Sequence, residues 1–329
     1  MTHSSDLARG YGFAVASAVF LSITAILIRY LVQAYAIPAL VLALWRGGFV
    51  VLTLTLVLVV FRPALLKTDR RHIAYLFAYG LLLAVFNSLW TLSVVLNGAA
   101  IATVLVYSSV AFTAILGSWL LKERIDWVKG IVIAATLAGC VLVANALDAA
   151  VWQANLPGLV TGLLAGLGYA TYSLMGRSAS QRGLNPWTTL LYTFGFATLF
   201  LLAFNLLPGG FIPGAASSPA DFLWLGDAWL GWGLLILLAA GPTLAGFGLY
   251  NVSLSILPSN VVNLVVTLEL PFTVIIAYFL LAERLSGAQM LGGLLLLMAV
   301  IFLRIYEGRL DAKESLRVGA VRTVPAEAD

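Results

Sequence analysis

Along this chain, apolar stretches of about twenty residues or more alternate with short polar breaks, with no two-residue alternation that would indicate barrel strands. A bilayer core takes about 20 apolar residues per helix, somewhat more when the helix tilts. The pattern therefore predicts ten transmembrane helices, near 11–32, 38–61, 72–96, 99–121, 128–147, 156–177, 187–206, 228–255, 259–281 and 287–305. Two boundaries rest on small breaks. Asn97-Gly98 divides the stretch from Ile73 to Leu121, and Pro258-Ser259 divides that from Trp229 to Leu281; each stretch is too long for one span. The small residues of "AVASA" (14–18) open the first apolar run instead of closing it, so it reads as an uncleaved span. The expected fold is an all-α membrane protein.

Sliding the chain by 160 residues lays "VAFTAILGSWLLKER" (110–124) on "LPFTVIIAYFLLAER" (270–284), matching Phe112 with Phe272, Thr113 with Thr273 and both L-L-x-E-R endings. Without a gap the same shift places Trp90 on Tyr250, Ser93 on Ser253, and one helix break on the other. A shorter offset puts Gly12 on Gly158. The chain is thus expected to consist of two five-helix repeats, 11–147 and 156–305, joined by a linker at 148–155 and flanked by tails at 1–10 and 306–329, the second charged and without order. An odd number of spans per half inserts the halves upside down relative to each other. Inverted repeats of this kind are the architecture of secondary transporters, whose substrate sites lie near the midplane where the halves meet.

Composition agrees with the bilayer: 62% of residues are hydrophobic and 10% charged, with a mean hydropathy of +1.02. The net charge of +4 is not a nucleic-acid face, because most basic residues sit in a few short segments between spans and in the tail. Arg9, Arg62, Lys67, Arg70, Arg71, Lys122, Arg124, Lys129, Arg177 and Arg182 share one side with the C-terminal basic residues. The other side holds Arg284, with Arg29 near a helix end. The asymmetry predicts cytoplasmic N- and C-termini for this multi-pass protein. Cys140 lies alone in an apolar run, and the two histidines, His3 and His72, fall outside the apolar cores. An intramembrane enzyme would need a nucleophile with a base or a cluster of metal ligands, so neither catalytic residues, metal nor cofactor is expected. No Gly-rich phosphate loop points to ATP hydrolysis. A channel or receptor-like protein without alternating access is the rival reading, against which no charge ring or filter-like loop is found.

Several polar and aromatic residues fall on common helix faces at membrane depth. In the third span Tyr75, Tyr79, Phe86, Trp90, Ser93 and Asn97 form one stripe, flanked by Asn87 and Thr91. Tyr75 reads as interfacial packing; Tyr79, Asn87 and Trp90 are candidate cavity residues. Thr103, Tyr107 and Ser108 in the fourth span and Asn260, Asn263 and Thr267 in the ninth are polar side chains that lipid cannot satisfy. In the sixth span Gly162, Gly166, Tyr169 and Ser173 line up, beside Tyr172. Close helix packing is one use of those glycines; room for a flat ring against Tyr169 is another. Tyr250 mirrors Trp90. The candidate substrate-binding set is Tyr79, Asn87, Trp90, Tyr107, Ser108, Tyr169, Ser173, Tyr250 and Asn263. Arg46 and Glu269 are the clearest ionisable groups inside spans, each needing a partner or a water-filled cavity. Three roles are open to Glu269: a structural pair with Arg46, proton coupling, and recognition of a substrate ammonium. Pro271 adds a helix break expected to free the carbonyl of Thr267. The L-L-x-E-R endings read as helix-end anchors with a local ion pair, outside the site.

Ten spans in two repeats, each fourth span ending in L-L-x-E-R, with Arg46 in "LALWRGGFV" and Glu269 near Pro271, resemble the drug/metabolite transporter superfamily and its EamA-type ten-helix exporters. The resemblance covers about residues 11–305. Family members usually carry glutamate directly before proline in the ninth span, whereas Leu270 intervenes here. The resemblance implies export of small metabolites by alternating access. The sequence is similar to bacterial exporters of aromatic and other hydrophobic amino acids, so an amino acid or related metabolite is the implied partner besides the lipid bilayer.

Overall fold

A computed structural model describes residues 2–120, 127–143, 149–207, 212–256 and 265–322. Every regular element among them is helical: α1 Thr2–Tyr35, α2 Ala39–Phe61, α3 Arg70–Asn97, α4 Ala99–Val106, α5 Ser109–Leu120, α6 Trp127–Val143, α7 Ala149–Gln181, α8 Pro186–Leu206, α9 Trp229–Leu238, α10 Leu244–Ile256, α11 Glu269–Leu281 and α12 Gly287–Arg322. Six stretches are long and apolar enough to cross a bilayer: 8–35, 39–61, 70–97, 155–176, 186–206 and 229–250. Shorter apolar stretches at 99–113, 130–143, 269–281 and 287–303 occupy the places of the expected fourth, fifth, ninth and tenth spans.

Where the chain departs from continuous helices, local chemistry accounts for it. Gly98 separates α3 from α4 at φ +83°, a conformation open chiefly to glycine. α7 bends at Asn155 (φ −143°), just before Pro157, and the Asn97 amide donates to the Gly158 carbonyl at 2.8 Å to fasten that bend to the end of α3. Between α9 and α10, Ala239–Thr243 form a π-helical turn around Pro242, whose missing N–H cannot continue the ladder. α12 extends to Arg322, so the segment expected to be an unordered tail is helical through that residue. Its Glu, Lys, Leu, Arg and Ala residues are good helix formers.

The halves exchange helices. α1 packs on α10 and α11 from the second half, while α7 packs on α3, α4 and α5 from the first; α2 lies against α8, and α6 against α12. The contact of α1 with α10 and α11 is thus answered by that of α7 with α3, α4 and α5, as a two-repeat architecture requires. Polar bonds pin the exchange: Ser17 Oγ donates to the Gly246 carbonyl at 2.9 Å, and Ser253 Oγ to that of Gly10 at 3.0 Å.

One end of the bundle is closed by two devices. Residues 212–228, after α8, fold over the ends of α1, α2 and α9. Trp45 donates to the Phe222 carbonyl (2.7 Å), Trp224 to Tyr35 (2.8 Å) and Trp232 to Gly226 (3.1 Å). The second device is Glu283, in the second L-L-x-E-R ending. Its carboxylate accepts the N–H groups of Ala99 (2.9 Å) and Ala100 (3.0 Å), the exposed donors at the start of α4, and lies 3.4 Å from Arg29. Arg29 also donates to the Val95 carbonyl at 2.7 Å near the end of α3. The expected local ion pair of this motif is therefore replaced by a long-range one, and Arg284 instead lies over the Tyr278 ring. The first-half ending, Lys122–Arg124, lies outside the described residues.

A Cβ at Gly98 would lie 2.6 Å from Glu283 Oε1. Gly98→Ala should therefore lower the melting temperature of the detergent-solubilised protein, with a loss of about 2 kcal/mol from backbone strain and the displaced cap. A melting temperature equal to that of the wild type would show that the cap does not hold α4.

Candidate functional site

The expected fourth and ninth spans are both interrupted, at equivalent places. α4 ends at Val106, and Tyr107 and Ser108 form a turn before α5; 160 positions on, Thr267 and Leu268 form a turn before α11. The backbone bonds correspond. Ser108 N–H donates to Leu105 and Leu268 N–H to Val265, both reaching three residues back, and Phe112 and Phe272 then resume the four-residue spacing to Ser108 and Leu268. Pro271 is not the cause, since the first half breaks identically with Ala111 in its place. The proline sits in the first turn of α11, where an N–H is dispensable. Nor is the Thr267 carbonyl freed as expected: it accepts the Leu270 N–H at 3.1 Å.

The two interruptions meet through Tyr107. Its hydroxyl is shared between Glu269 Oε2 (3.1 Å) and the Val266 carbonyl (3.2 Å), tying the break of one half to that of the other. Glu269 opens α11, where the unpaired N–H groups of the first turn favour a negative charge. Gly166 of α7 packs directly against Ser108, and Gly162 against Leu105 and Ser93. The glycines of the sixth span thus serve close packing of α7 on the broken helix, leaving no slot for a ring there. Ser108 is fully buried, and its hydroxyl has no protein partner.

Around this crossing the aromatic residues of the two halves interleave. Tyr79 lies 4.9 Å from Tyr172, ring centre to ring centre, and donates to the Tyr172 carbonyl at 3.0 Å. Phe86 faces Tyr169 (5.7 Å) and Tyr172 (6.2 Å), and Tyr172 meets Phe247 edge-on at 6.1 Å. Tyr250 packs against the small cluster of Ala14 and Val266, whose Val266 carbonyl takes the Tyr107 hydroxyl, and Tyr169 packs beside Phe86. Tyr79, Tyr107, Tyr169, Tyr250 and Glu269 are therefore brought together. Trp90 is buried in the main apolar core. Ser173 donates to the Tyr169 carbonyl one turn back within its own helix. Asn263 lies outside the described residues. Tyr75 caps the stripe as packing, under the Arg182 guanidinium.

Arg46 and Glu269 do not meet. Arg46 Nη2 donates instead to Asn87 Oδ1 at 2.9 Å, between α2 and α3, and the ion pairs among the described residues are Arg29–Glu283 and Asp69–Arg71. Helical spacing shows which face of its own helix each residue occupies but says nothing of the azimuth between α2 and α11, so a pairing inferred from charge alone had no geometric support. Tyr172 and Phe247 join the cluster although neither was among the candidates. Tyr172 lies one position before Ser173 of the stripe on the α7 surface, and "AGPTLAGF" carries the π-turn proline that precedes Phe247. A surface groove of about 520 Å³ between α2 and α8 is lined by Gly48, Thr55, Tyr192 and Phe196 and contains none of the cluster.

Two repeats with exchanged helices, matching interruptions and a buried polar crossing define a polytopic membrane protein with a transporter scaffold. A family model described as the EamA-like transporter family, in the drug/metabolite transporter superfamily, matches residues 8–145 and 156–305, the two halves, and the chain belongs to that family. Its members move small molecules across membranes and are not enzymes. A solved crystal structure of a protein at 15% identity superposes with a TM-score of 0.57, over 93% of this chain and 99% of that one, and supports the fold alone. No curated protein sequence matches the chain.

A double-mutant cycle between Tyr107→Phe and Glu269→Ala, read by thermal or denaturant unfolding, should show a coupling of about 1–2 kcal/mol. Strict additivity would show that the two side chains act apart.

Proposed function

We propose that this protein is a secondary transporter that exports amino acids, aromatic or otherwise hydrophobic, across the inner membrane by alternating access. Ten spans in two inverted five-helix repeats, with both termini cytoplasmic, carry the cycle. The observation that most supports this reading is the pair of equivalent helix interruptions joined by Tyr107 and Glu269. Interrupted helices at the contact of two repeats are where such carriers place substrate, because backbone groups and a half-helix terminus there offer polar partners inside the bilayer.

In this mechanism the substrate side chain lies against the aromatic residues Tyr79, Tyr169, Tyr172 and Tyr250, and its ammonium takes the Glu269 carboxylate in place of the Tyr107 hydroxyl. A carboxylate that holds an ammonium cannot also hold a proton, so the same group couples export to proton entry by mutual exclusion. The closure of one end by the loop after α8 and by the Glu283 cap fits an outward barrier that opens as the halves rock. Release on that side requires both devices to part.

Proteoliposomes carrying the full chain should show saturable counterflow of leucine, phenylalanine or tyrosine, accelerated by an inward proton gradient. Glu269→Gln should reduce flux at least tenfold, about 1.4 kcal/mol in the barrier, and abolish the gradient dependence. Gradient-driven flux in Glu269→Gln would remove the coupling role. Unsaturable conductance would favour the channel reading, and a panel in which no amino acid moves would end the cargo assignment.

A further inference from the structure

Arg46 lies among Leu42, Ala43, Val50 and Leu54 on the buried stripe of α2 and is itself only 2% exposed. A guanidinium carries five N–H donors and no acceptor. One of its nitrogens is satisfied by the Asn87 amide oxygen, while Nε has no hydrogen-bond partner. Asn87, 5% exposed, turns its oxygen to the arginine, and its own Nδ2 has no partner either. One turn further along α3, the buried Thr91 hydroxyl is unpartnered as well. No carboxylate lies within ion-pair distance of Arg46 among the described residues, and Glu269 is held by Tyr107. The place has a fixed positive charge and a surplus of donors but lacks a negatively charged acceptor among the described residues.

A charged residue at membrane depth persists where it meets an opposite charge, backbone carbonyls or water. Asn87 supplies a neutral oxygen and no charge. An amide so oriented would be a poor choice for neutralising arginine, but it adds an N–H donor beside the guanidinium. Planar guanidinium donors match the two oxygens of a carboxylate better than they match a spherical ion. The α2–α8 groove is an apolar surface with nothing to name its occupant, and the Ser108 hydroxyl is walled in by Gly166.

We propose that Arg46 and Asn87, with Thr91, form an anion site that takes a carboxylate group, and that in the transport cycle this carboxylate belongs to the substrate. Only the second clause rests on the transport reading above. The site gives the protein two polar stations of opposite sign, Glu269 for ammonium and Arg46–Asn87 for carboxylate. Amines that lack a carboxylate would then be rejected.

The full chain in low-salt detergent buffer is melted with sodium acetate and, separately, with sodium chloride at the same concentrations. The wild type should show a saturable rise in melting temperature with acetate that exceeds the rise with chloride. Asn87→Asp places a carboxylate against Arg46, so it should melt above the wild type without added anion and lose the saturable acetate response. Arg46→Gln should also lose the response, and Asn87→Asp decides the matter if Arg46→Gln fails to fold. An equal acetate response in Asn87→Asp, or a lower melting temperature than the wild type, would overturn the site. A chloride response matching or exceeding acetate, and lost in Asn87→Asp, would assign the site to a free inorganic ion and overturn the substrate assignment.

In proteoliposomes, phenylalanine flux should exceed phenethylamine flux at least tenfold in the wild type and fall at least tenfold in Asn87→Asp. Wild-type discrimination retained in Asn87→Asp would separate this site from substrate. An acetate response with no amino-acid flux would leave the anion site standing and sink the transport reading.

Discussion

Inside a bilayer a helix can be interrupted only where the backbone groups around the gap find partners in the protein. This chain interrupts equivalent helices in both halves and satisfies the gaps largely by mutual contact. Tyr107 of the first half reaches Val266 and Glu269 of the second, and α7 closes on the first gap through Gly162 and Gly166. At the end of the bundle the same logic operates on α4, whose first N–H groups are taken by a carboxylate from the other repeat. The interruptions and the contact between halves are therefore one problem with one solution. A closed bundle of unbroken helices would need neither.

Much of this was legible in the sequence because it depends on local or periodic signals. Asn97-Gly98 ends one helix and starts the next because only glycine readily takes φ +83° there, and the gapless 160-residue shift identified the duplicated frame before any coordinates. The aromatic stripe of α3 and the tyrosines of α7 were visible at helical spacing, and the structure packs them against each other. What stayed hidden depends on rotation between helices. Arg46 and Glu269 looked like partners because each is an isolated charge, yet they lie on helices whose relative azimuth no periodicity encodes. Glu283 looked like a local anchor beside Arg284, and its real partners are Arg29 and the start of α4, far away in the chain. Pro271 drew attention as a breaker, but comparison with Ala111 shows that the turn belongs to the duplicated scaffold and the proline merely tolerates it.

The polar content of the interior is unevenly distributed, and that unevenness organises the functional reading. The carboxylate of Glu269 accepts the Tyr107 hydroxyl, while the guanidinium of Arg46 sits beside an amide that leaves further donors unpaired. Between α3 and α7 the aromatic contacts are joined by polar ties: Tyr75 and Tyr79 donate to the Met175 and Tyr172 carbonyls, and Asn97 to that of Gly158. Polar ties hold both ends of the bundle: the tryptophan-fastened loop and the Glu283 cap at one, and Thr188 and Tyr192, donating to the Leu65 and Leu66 carbonyls, at the other.

The exchange of helices between halves also dictates the order in which the molecule can be built. α1 finds its buried surface against α10 and α11, and Ser17 and Ser253 each bond to a carbonyl more than two hundred residues away. When the first half emerges from the ribosome, its leading helix must wait in lipid for partners not yet synthesised, and α3 must wait for α7. The half-chain is therefore an incomplete surface, not a smaller version of the fold. In a duplicated protein of this design the helices of each copy complete the buried surface of the other, and one repeat alone would leave the faces of α1 and α7 without their partners.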